Sequence, residues 1–405
     1  SSDVCSSDLI ESADRIPEIV SRAFAVALQG RPGPVVVALP EDMLRDTTDA
    51  APCNPVVPAH PAPSRADISA AHELLFEAER PVVILGGSAW DAGSAARVQN
   101  WSLALGLPVA VQFRRQQLVH ADQPNYAGDL GIGGNPALRT LIDESDLVIL
   151  LGGRMSEIPS QDFTLLEIPN PSTRLIHVHP GAEELQRIYA PTLAINSTPG
   201  EFLIAWGEPP TRTLPERVRQ AHTDYLAWSE PAPQQSRWVD LGTVIRELRE
   251  HLPASAILTN GAGNYSGWLH RFFRFRGYGT QVAPTSGSMG YGLPAAVAAK
   301  LRRPEAPVVC LAGDGCFQMT AQELSTAVQA EANIIVLVID NGTYGTIRMH
   351  QERNYPRRVS ATDLVNPDFA ALGAAYGMFT RRVETDAAFV RSEEHTSELQ
   401  SPCNL

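Results

Sequence analysis

Two kinds of apolar spacing alternate along this chain. The stretches PVVILGG (81–87), LPVAVQF (107–113), SDLVILLGG (145–153) and TRLIHVHP (173–180) are almost continuously apolar, as strands buried on both faces of a parallel sheet are. Between them, apolar residues recur at the helical spacing of three to four. The alternation resumes in AILT (256–259), PVVCLA (307–312) and NIIVLVID (333–340). Strands alternating with helices predict an α/β fold of doubly wound parallel sheets joined by right-handed crossovers. Nearer the start, RIPEIVSRAFAVALQG (15–30) has the pattern of one amphipathic helix and GPVVVALP (33–40) that of one strand. Those two elements are too few to build a core of their own.

The breaks in the pattern divide the chain into blocks. Residues 10–48 read as the end of a larger domain. APCNPVVPAHPAPS (51–64) is rich in proline and alanine and reads as a linker over 49–65. Residues 66–207 form a central α/β block, 208–236 a second linker, and 237–391 a last α/β block. Both ends depart from the rest. SSDVCSSDL (1–9) has no useful period, and SEEHTSELQSPCNL (392–405) interrupts a helical pattern. Both stretches resemble translated sequencing-adapter read-through, with disordered native tails as the alternative, and are set aside for fold reasoning. On the read-through interpretation Cys5 and Cys403 carry no meaning, and the native protein extends past both ends.

Composition narrows the function classes. A net charge of −13 argues against nucleic acid or an anionic membrane as the main partner. No apolar run approaches the roughly 20 residues of a membrane helix, and no signal peptide is visible, so a cytoplasmic protein is expected. The 5 cysteines are scattered without a CxxC pair, which predicts a reducing compartment and neither structural zinc nor disulfides. Lys300 is the only lysine and falls at the end of a predicted helix, which argues against Schiff-base chemistry.

One stretch points to chemistry. The apolar run 307–312 ends in Gly313-Asp314-Gly315. Thr320 and Glu323 have capping-box spacing and open the next helix. The strand 333–340 then ends at Asn341. If the two strands are neighbours, Asp314 and Asn341 both lie beyond the carboxyl ends of parallel strands, where open α/β sheets bind ligands. The glycines let backbone N–H groups approach a ligand. Asp314 and Asn341 add hard oxygens of the kind Mg²⁺ takes together with substrate phosphates. The competing reading is a tight turn that closes a strand.

GDG followed by an asparagine some 25 residues later, behind an apolar strand, resembles the thiamine-diphosphate motif of the acetolactate synthase-like 2-oxo acid decarboxylase and carboligase family. The flanking QMTAQELSTAV and YGTIRMHQE are similar to that family as well. The resemblance implies Mg²⁺ held by Asp314, Asn341 and the Thr343 carbonyl. The family usually has Asn-Asn where this chain has Asp340-Asn341. PTSGSMGYGLPAAVAAKL (284–301) resembles the segment ahead of the helix beneath the thiazolium. It implies contacts from Ser288 and from Met289, the apolar wedge that bends the cofactor. Ordinary core packing is the alternative for Met289. TNGAGNYSGWLH (259–270) resembles the loop that grips the diphosphate, through Gly263 and Asn264, with a ligand-free βα turn as the alternative. Gly313, Gly315, Cys316, Phe317, Tyr344 and Gly345 complete the implied cofactor-contacting set.

The resemblance covers residues 10–391 and implies decarboxylation of a 2-oxo acid, with carboligation to a second carbonyl compound. It also implies a homodimer or homotetramer. In the family, a glutamate of the first domain hydrogen-bonds the aminopyrimidine. That position falls before Ile10, and Glu11 and Glu18 lie on the exit helix of that domain. The native protein is therefore expected to be an enzyme, and this chain alone inactive. FAD is doubtful: LGGSAWDAG (85–93) is only a glycine turn, and His179-Pro180-Gly181 stand where the acids of FAD-binding members are. Arg154 is read as a surface salt bridge or a phosphate contact, and His177 and His179 as internally satisfied histidines. Near the substrate, Arg348 is read as structural or as a carboxylate contact, and His350 replaces a tryptophan of true acetolactate synthases. Three rival readings are a simple decarboxylase of aromatic 2-oxo acids, a non-catalytic Mg²⁺–diphosphate-binding protein and a nucleotide-binding protein.

Overall fold

The computed structural model describes residues 7–232 and 238–390. The terminal stretches 1–6 and 391–405, and positions 233–237 of the second linker, lie outside the described residues. The chain forms two compact units, one of Ser1–Ala110 with Thr140–Leu214 and one of Val111–Arg139 with Pro215–Leu405. Its strands, in chain order, are β1 (Ser7–Leu9), β2 (Val36–Ala38), β3 (Pro81–Leu85), β4 (Val109–Gln112), β5 (Tyr126–Leu130) and β6 (Leu147–Leu151). They continue with β7 (Arg174–His179), β8 (Leu193–Asn196), β9 (Ile257–Asn260), β10 (Gln281–Val282), β11 (Val308–Gly313) and β12 (Ile335–Ile339).

In the first unit, β3, β6, β7 and β8 pair in parallel, in that order. All five residues of β6 are buried, as its unbroken apolar run requires. The proline-rich linker stays free of regular structure and stops at Ser64. There a reciprocal capping box with Asp67 starts the helix Arg65–Glu77. Near the start, β1 and β2 form a parallel pair over a small cluster of Ile10, Ala13, Ile19 and Met43. The amphipathic helix Ile16–Leu28 buries only Ile19, and its Phe24 is 59% exposed.

The second unit holds the parallel sheet β10-β9-β11-β12. Strand periodicity sorts its side chains into two cores. Val308, Cys310 and Ala312 face the helix Gly292–Arg302 through Leu293, Ala296 and Val297. Val309 and Leu311 face the opposite side, against Val244, Ile245 and Leu248 of the helix Leu241–His251. Each fully buried Val or Leu here contributes about 1.5–3 kcal/mol. Helices on both faces make this sheet doubly wound.

Four strands differ from the expectation. β1 occupies Ser7–Leu9, a stretch read as patternless, because three backbone hydrogen-bonding residues beside the buried Ile10 need no side-chain period. β5 reads YAGDL, with Gly128 at φ +115° and an acidic residue, so its composition hides its state. β8 and β10 are short and of mixed polarity. Among the described residues, no helix is long and apolar enough to cross a membrane.

Candidate functional site

The candidate site lies in the second unit, at the carboxyl ends of its sheet. β11 and β12 are direct neighbours, with Gly313 opposite Ile339. Asp314 and the loop after β12 therefore meet. Asp314 is 3% exposed. Its Oδ1 accepts from the N–H of Gly315 at 2.8 Å, and its Oδ2 from the N–H of Gly342 at 2.8 Å. The side-chain amide oxygen of Asn341, Oδ1, accepts from the N–H of Thr343 at 3.1 Å. Thr343 is fixed by its hydroxyl on the Thr362 carbonyl, at 2.9 Å, and its own carbonyl accepts from the N–H of Gly345 at 2.8 Å. One carboxylate, one amide oxygen and one backbone carbonyl thus come from two adjacent loops. This is an all-oxygen donor set, which suits Mg²⁺ and suits neither zinc nor copper.

Three loops meet around Cys316, which is buried. Its sulfur accepts from the N–H of Gly290 at 3.1 Å and from the hydroxyl of Tyr265 at 3.5 Å. The Tyr265 hydroxyl in turn accepts from the N–H of Gly261 at 3.1 Å. The 261–264 loop, the 284–291 segment and the GDG turn are thereby locked together. Gly290 has φ +76°, where a side chain would be strained, and a Cβ there would press on Met319 and Thr320. Asn264 accepts from the Thr346 hydroxyl at 3.0 Å, which ties its loop to the helix Gly345–Asn354.

The residues expected at the site have distinct placements. Gly263 precedes Asn264, which stands just before the helix Tyr265–Phe272 without a side-chain cap bond to it. Ser288 is exposed and shares a hydrogen bond with Ser286 at 2.8 Å. Met289 is 38% exposed, so core packing does not account for it. Phe317 belongs to the core and packs edge-on against Phe369 at 5.5 Å. Tyr344 lies over Gly315, and a Cβ on that glycine would stand 2.5 Å from its ring. The capping box expected at Thr320 and Glu323 does not form. Thr320 donates its hydroxyl to the Gly290 carbonyl at 2.9 Å, and the helix Glu323–Gln329 begins without a side-chain cap. The spacing of a capping box is present, but Thr320 turns its hydroxyl to the Gly290 carbonyl instead of accepting from the Glu323 N–H.

Two site residues had no signal in the sequence reading. Asn366 donates its amide to Asp314 Oδ2 and to Asp340 Oδ1, each at 2.7 Å. Arg114, from the loop after β4, reaches the carbonyls of Gly261 and Pro284. Neither lies near the motif in sequence, and only the Asn-Pro turn at 366–367 marks the first as a loop residue.

The first unit resolves the remaining candidates. His177 bonds to the Gly153 carbonyl at 3.0 Å, and His179 accepts from the N–H of Gly181 at 3.0 Å. Burial lowers His177 to about 4, so both rings read as satisfied core histidines. Arg154 pairs with Glu184 at 3.4 Å, beside Arg31 and Arg187. A Cβ on Gly87 would stand 1.8 Å from the Gly152 carbonyl, so the glycine turn after β3 serves close packing of two loops. In the second unit, Arg348 pairs with Asp363 at 3.6 Å, and His350 accepts from Arg353 at 2.6 Å.

Comparison with known proteins gives this geometry its class. The thiamine pyrophosphate enzyme central domain matches residues 68–205, and the C-terminal TPP binding domain of the same enzymes matches residues 261–400. The chain belongs to the thiamine pyrophosphate enzyme family. Within it, the chain is similar to acetolactate synthases. It is 28% identical over 386 residues to the acetolactate synthase isozyme 2 large subunit of Escherichia coli, covering 94% of this chain and 70% of that one. It is 27% identical over 401 residues to a probable acetolactate synthase large subunit of Methanocaldococcus jannaschii, covering 92% and 66%. It is 28% identical over 396 residues to an acetolactate synthase of Mycobacterium leprae, covering 93% and 63%. The chain thus spans about two thirds of the length of these relatives.

Proposed function

We propose that this protein carries out thiamine-diphosphate- and Mg²⁺-dependent decarboxylation of a 2-oxo acid, with carboligation of the product to a second carbonyl compound. The observation that carries this reading is the meeting of Asp314, Asn341 and Thr343 at the ends of β11 and β12. These residues would supply three oxygens of the metal shell, and the diphosphate would supply others. Gly263 and Asn264 would hold the diphosphate end, and Met289 would face the thiazolium. When bound, thiamine diphosphate supplies the electron sink for cleavage next to the 2-oxo carbonyl. This chain's residues bind and orient. Asp314 is already fixed by two backbone N–H groups, so it needs little rearrangement to take a cation.

The reading includes a homodimer or homotetramer, which sedimentation analysis tests. Calorimetric titration of thiamine diphosphate, with Mg²⁺ and with EDTA, tests the site. Binding is expected only with Mg²⁺, and Asp314→Ala is expected to abolish it. Unchanged affinity in that variant would sink the metal assignment. Product analysis with pyruvate and with benzoylformate then separates carboligation from simple decarboxylation.

A further inference from the structure

Arg114 is 3% exposed and has a left-handed backbone, with φ +58°. For a residue other than glycine such a conformation is strained, and strain of this kind clusters at functional sites. Its Nη1 donates to the Pro284 carbonyl, and its Nη2 to the Gly261 carbonyl at 2.9 Å. Its Nε has no hydrogen-bond partner among the described residues. Among the described residues, no carboxylate pairs with it; the polar side chains nearest its charge belong to Tyr265 and Cys316. Burial lowers its pKa only to about 10, so it remains a cation at neutral pH.

Its guanidinium also lies over the Phe113 ring, 4.6 Å from the centroid. A buried cation that meets two carbonyls and a ring face but no counter-charge is unfavourable for the fold, because these neutral groups do not replace the lost water. The two carbonyls it meets are not arbitrary. Gly261 opens the loop that carries Gly263 and Asn264, and Pro284 opens the segment that carries Ser288 and Met289. The unbalanced charge therefore stands behind both loops of the candidate site.

We propose that Arg114 is a positioning residue whose charge, held behind the Gly261 and Pro284 loops, stabilises an oxyanion bound against them. That oxyanion is the diphosphate of the cofactor or the carboxylate of the 2-oxo acid. This inference rests on the proposed function. It implies that the residue is unfavourable for the empty protein and favourable for the loaded one, a division common at functional sites.

The test is thermal unfolding of the full chain and of Arg114→Met and Arg114→Lys. Each is melted alone, with Mg²⁺ and thiamine diphosphate, and with benzoylformate added. Ligand-free Arg114→Met is expected to melt at or above the wild type, since an unpaired buried charge has gone. Its affinity for the oxyanion, read from the ligand-induced rise, is expected to fall about tenfold, as for loss of a charge-assisted contact. Arg114→Lys is expected to keep part of it. A loss seen with the cofactor alone assigns the oxyanion to the diphosphate, and one seen only with benzoylformate assigns it to the carboxylate. If Arg114→Met keeps the whole wild-type rise with both ligands, this inference is overturned and the proposed function stands. If ligand-free Arg114→Met melts well below the wild type, or fails to fold where Arg114→Lys folds, Arg114 is only a structural clamp and the inference is overturned. If the wild type shows no rise, the proposed function falls and this inference with it.

Discussion

The side-chain nitrogen of Asn366 lies 2.7 Å from Oδ2 of Asp314. The same amide reaches Oδ1 of Asp340 at 2.7 Å, and its oxygen accepts from Gln318 at 2.8 Å. One neutral side chain thus spaces two carboxylates at the mouth of the candidate metal site and aims the buried one. Asn366→Leu removes both donors while keeping similar bulk. Hydrogen bonds to charged groups contribute about 1.5–3 kcal/mol, so a loss of that size is expected in urea unfolding. An unchanged midpoint would mean that the backbone N–H groups of Gly315 and Gly342 hold Asp314 unaided.

Much of the fold could be read from apolar runs. β3, β6, β7, β9 and β11 are long or dense in apolar residues and buried along nearly their whole length, so composition and state agree; β12 has the same apolar run, but only Val336 of it is fully buried. β5 and β10 could not be read that way, because Gly128 and Gln281 break any pattern within strands of five and two residues. At the site, the Asp314–Asn341 pairing was legible because a βαβ unit forces its two strand ends together. Asn366 and Arg114 were not, because their partners lie 52 and 147 residues away in the chain, and no local period encodes such a contact. Thr320 shows the opposite failure, in which a local motif yields to a tertiary acceptor.

Gly315 is required for space rather than for backbone freedom. Its φ is not positive, yet a Cβ would stand 2.5 Å and 3.0 Å from two Tyr344 ring carbons. Gly315→Ala must displace Tyr344, which heads the helix Gly345–Asn354 and adjoins Thr343. Overpacking of this kind costs about 1–3 kcal/mol. Weaker Mg²⁺-dependent binding of thiamine diphosphate is expected alongside the lost stability. Restored binding in Gly315→Ala/Tyr344→Ala would confirm the clash, and a double variant as weak as the single one would reject it.

Thr320 and Glu323 separate the tertiary role from the local one. The Thr320 hydroxyl holds the Gly290 carbonyl. Thr320→Val is therefore expected to lose about 1 kcal/mol, the usual contribution of one such bond. The Glu323 carboxylate accepts from the Thr326 hydroxyl at 2.7 Å in an exposed bond, so Glu323→Ala is expected to stay within about 0.5 kcal/mol, as surface changes do. Equal losses in the two variants, measured by urea unfolding, would restore the capping box.

Asp129 and His270 give the fold opposite dependences on pH. They line one cavity of about 330 Å³ together with Trp228, Trp268 and Arg271. Burial raises the Asp129 carboxyl from 3.8 to about 7, opposed by its own backbone N–H and by Gln116, whose amide donates to it at 3.2 Å. Burial, and then the charge of Arg114, lowers His270 from 6.5 to about 3. Because the folded value of Asp129 is raised, its contribution is complete below pH 3.8 and is lost as pH rises through 7. Because the folded value of His270 is depressed, its contribution is complete above pH 6.5 and is lost as pH falls through 3. The two slopes oppose each other between pH 3.8 and 6.5, and only the Asp129 loss continues from 6.5 to 7. Asp129→Asn keeps an acceptor for Gln116 and removes the falling contribution. Its urea midpoint is expected to climb from pH 4.5 to 6.5 while that of the wild type stays level, and to exceed the wild type at pH 7.5. A variant less stable than the wild type at pH 7.5 would show that the ionised carboxylate is compensated in the fold and that burial does not govern its proton.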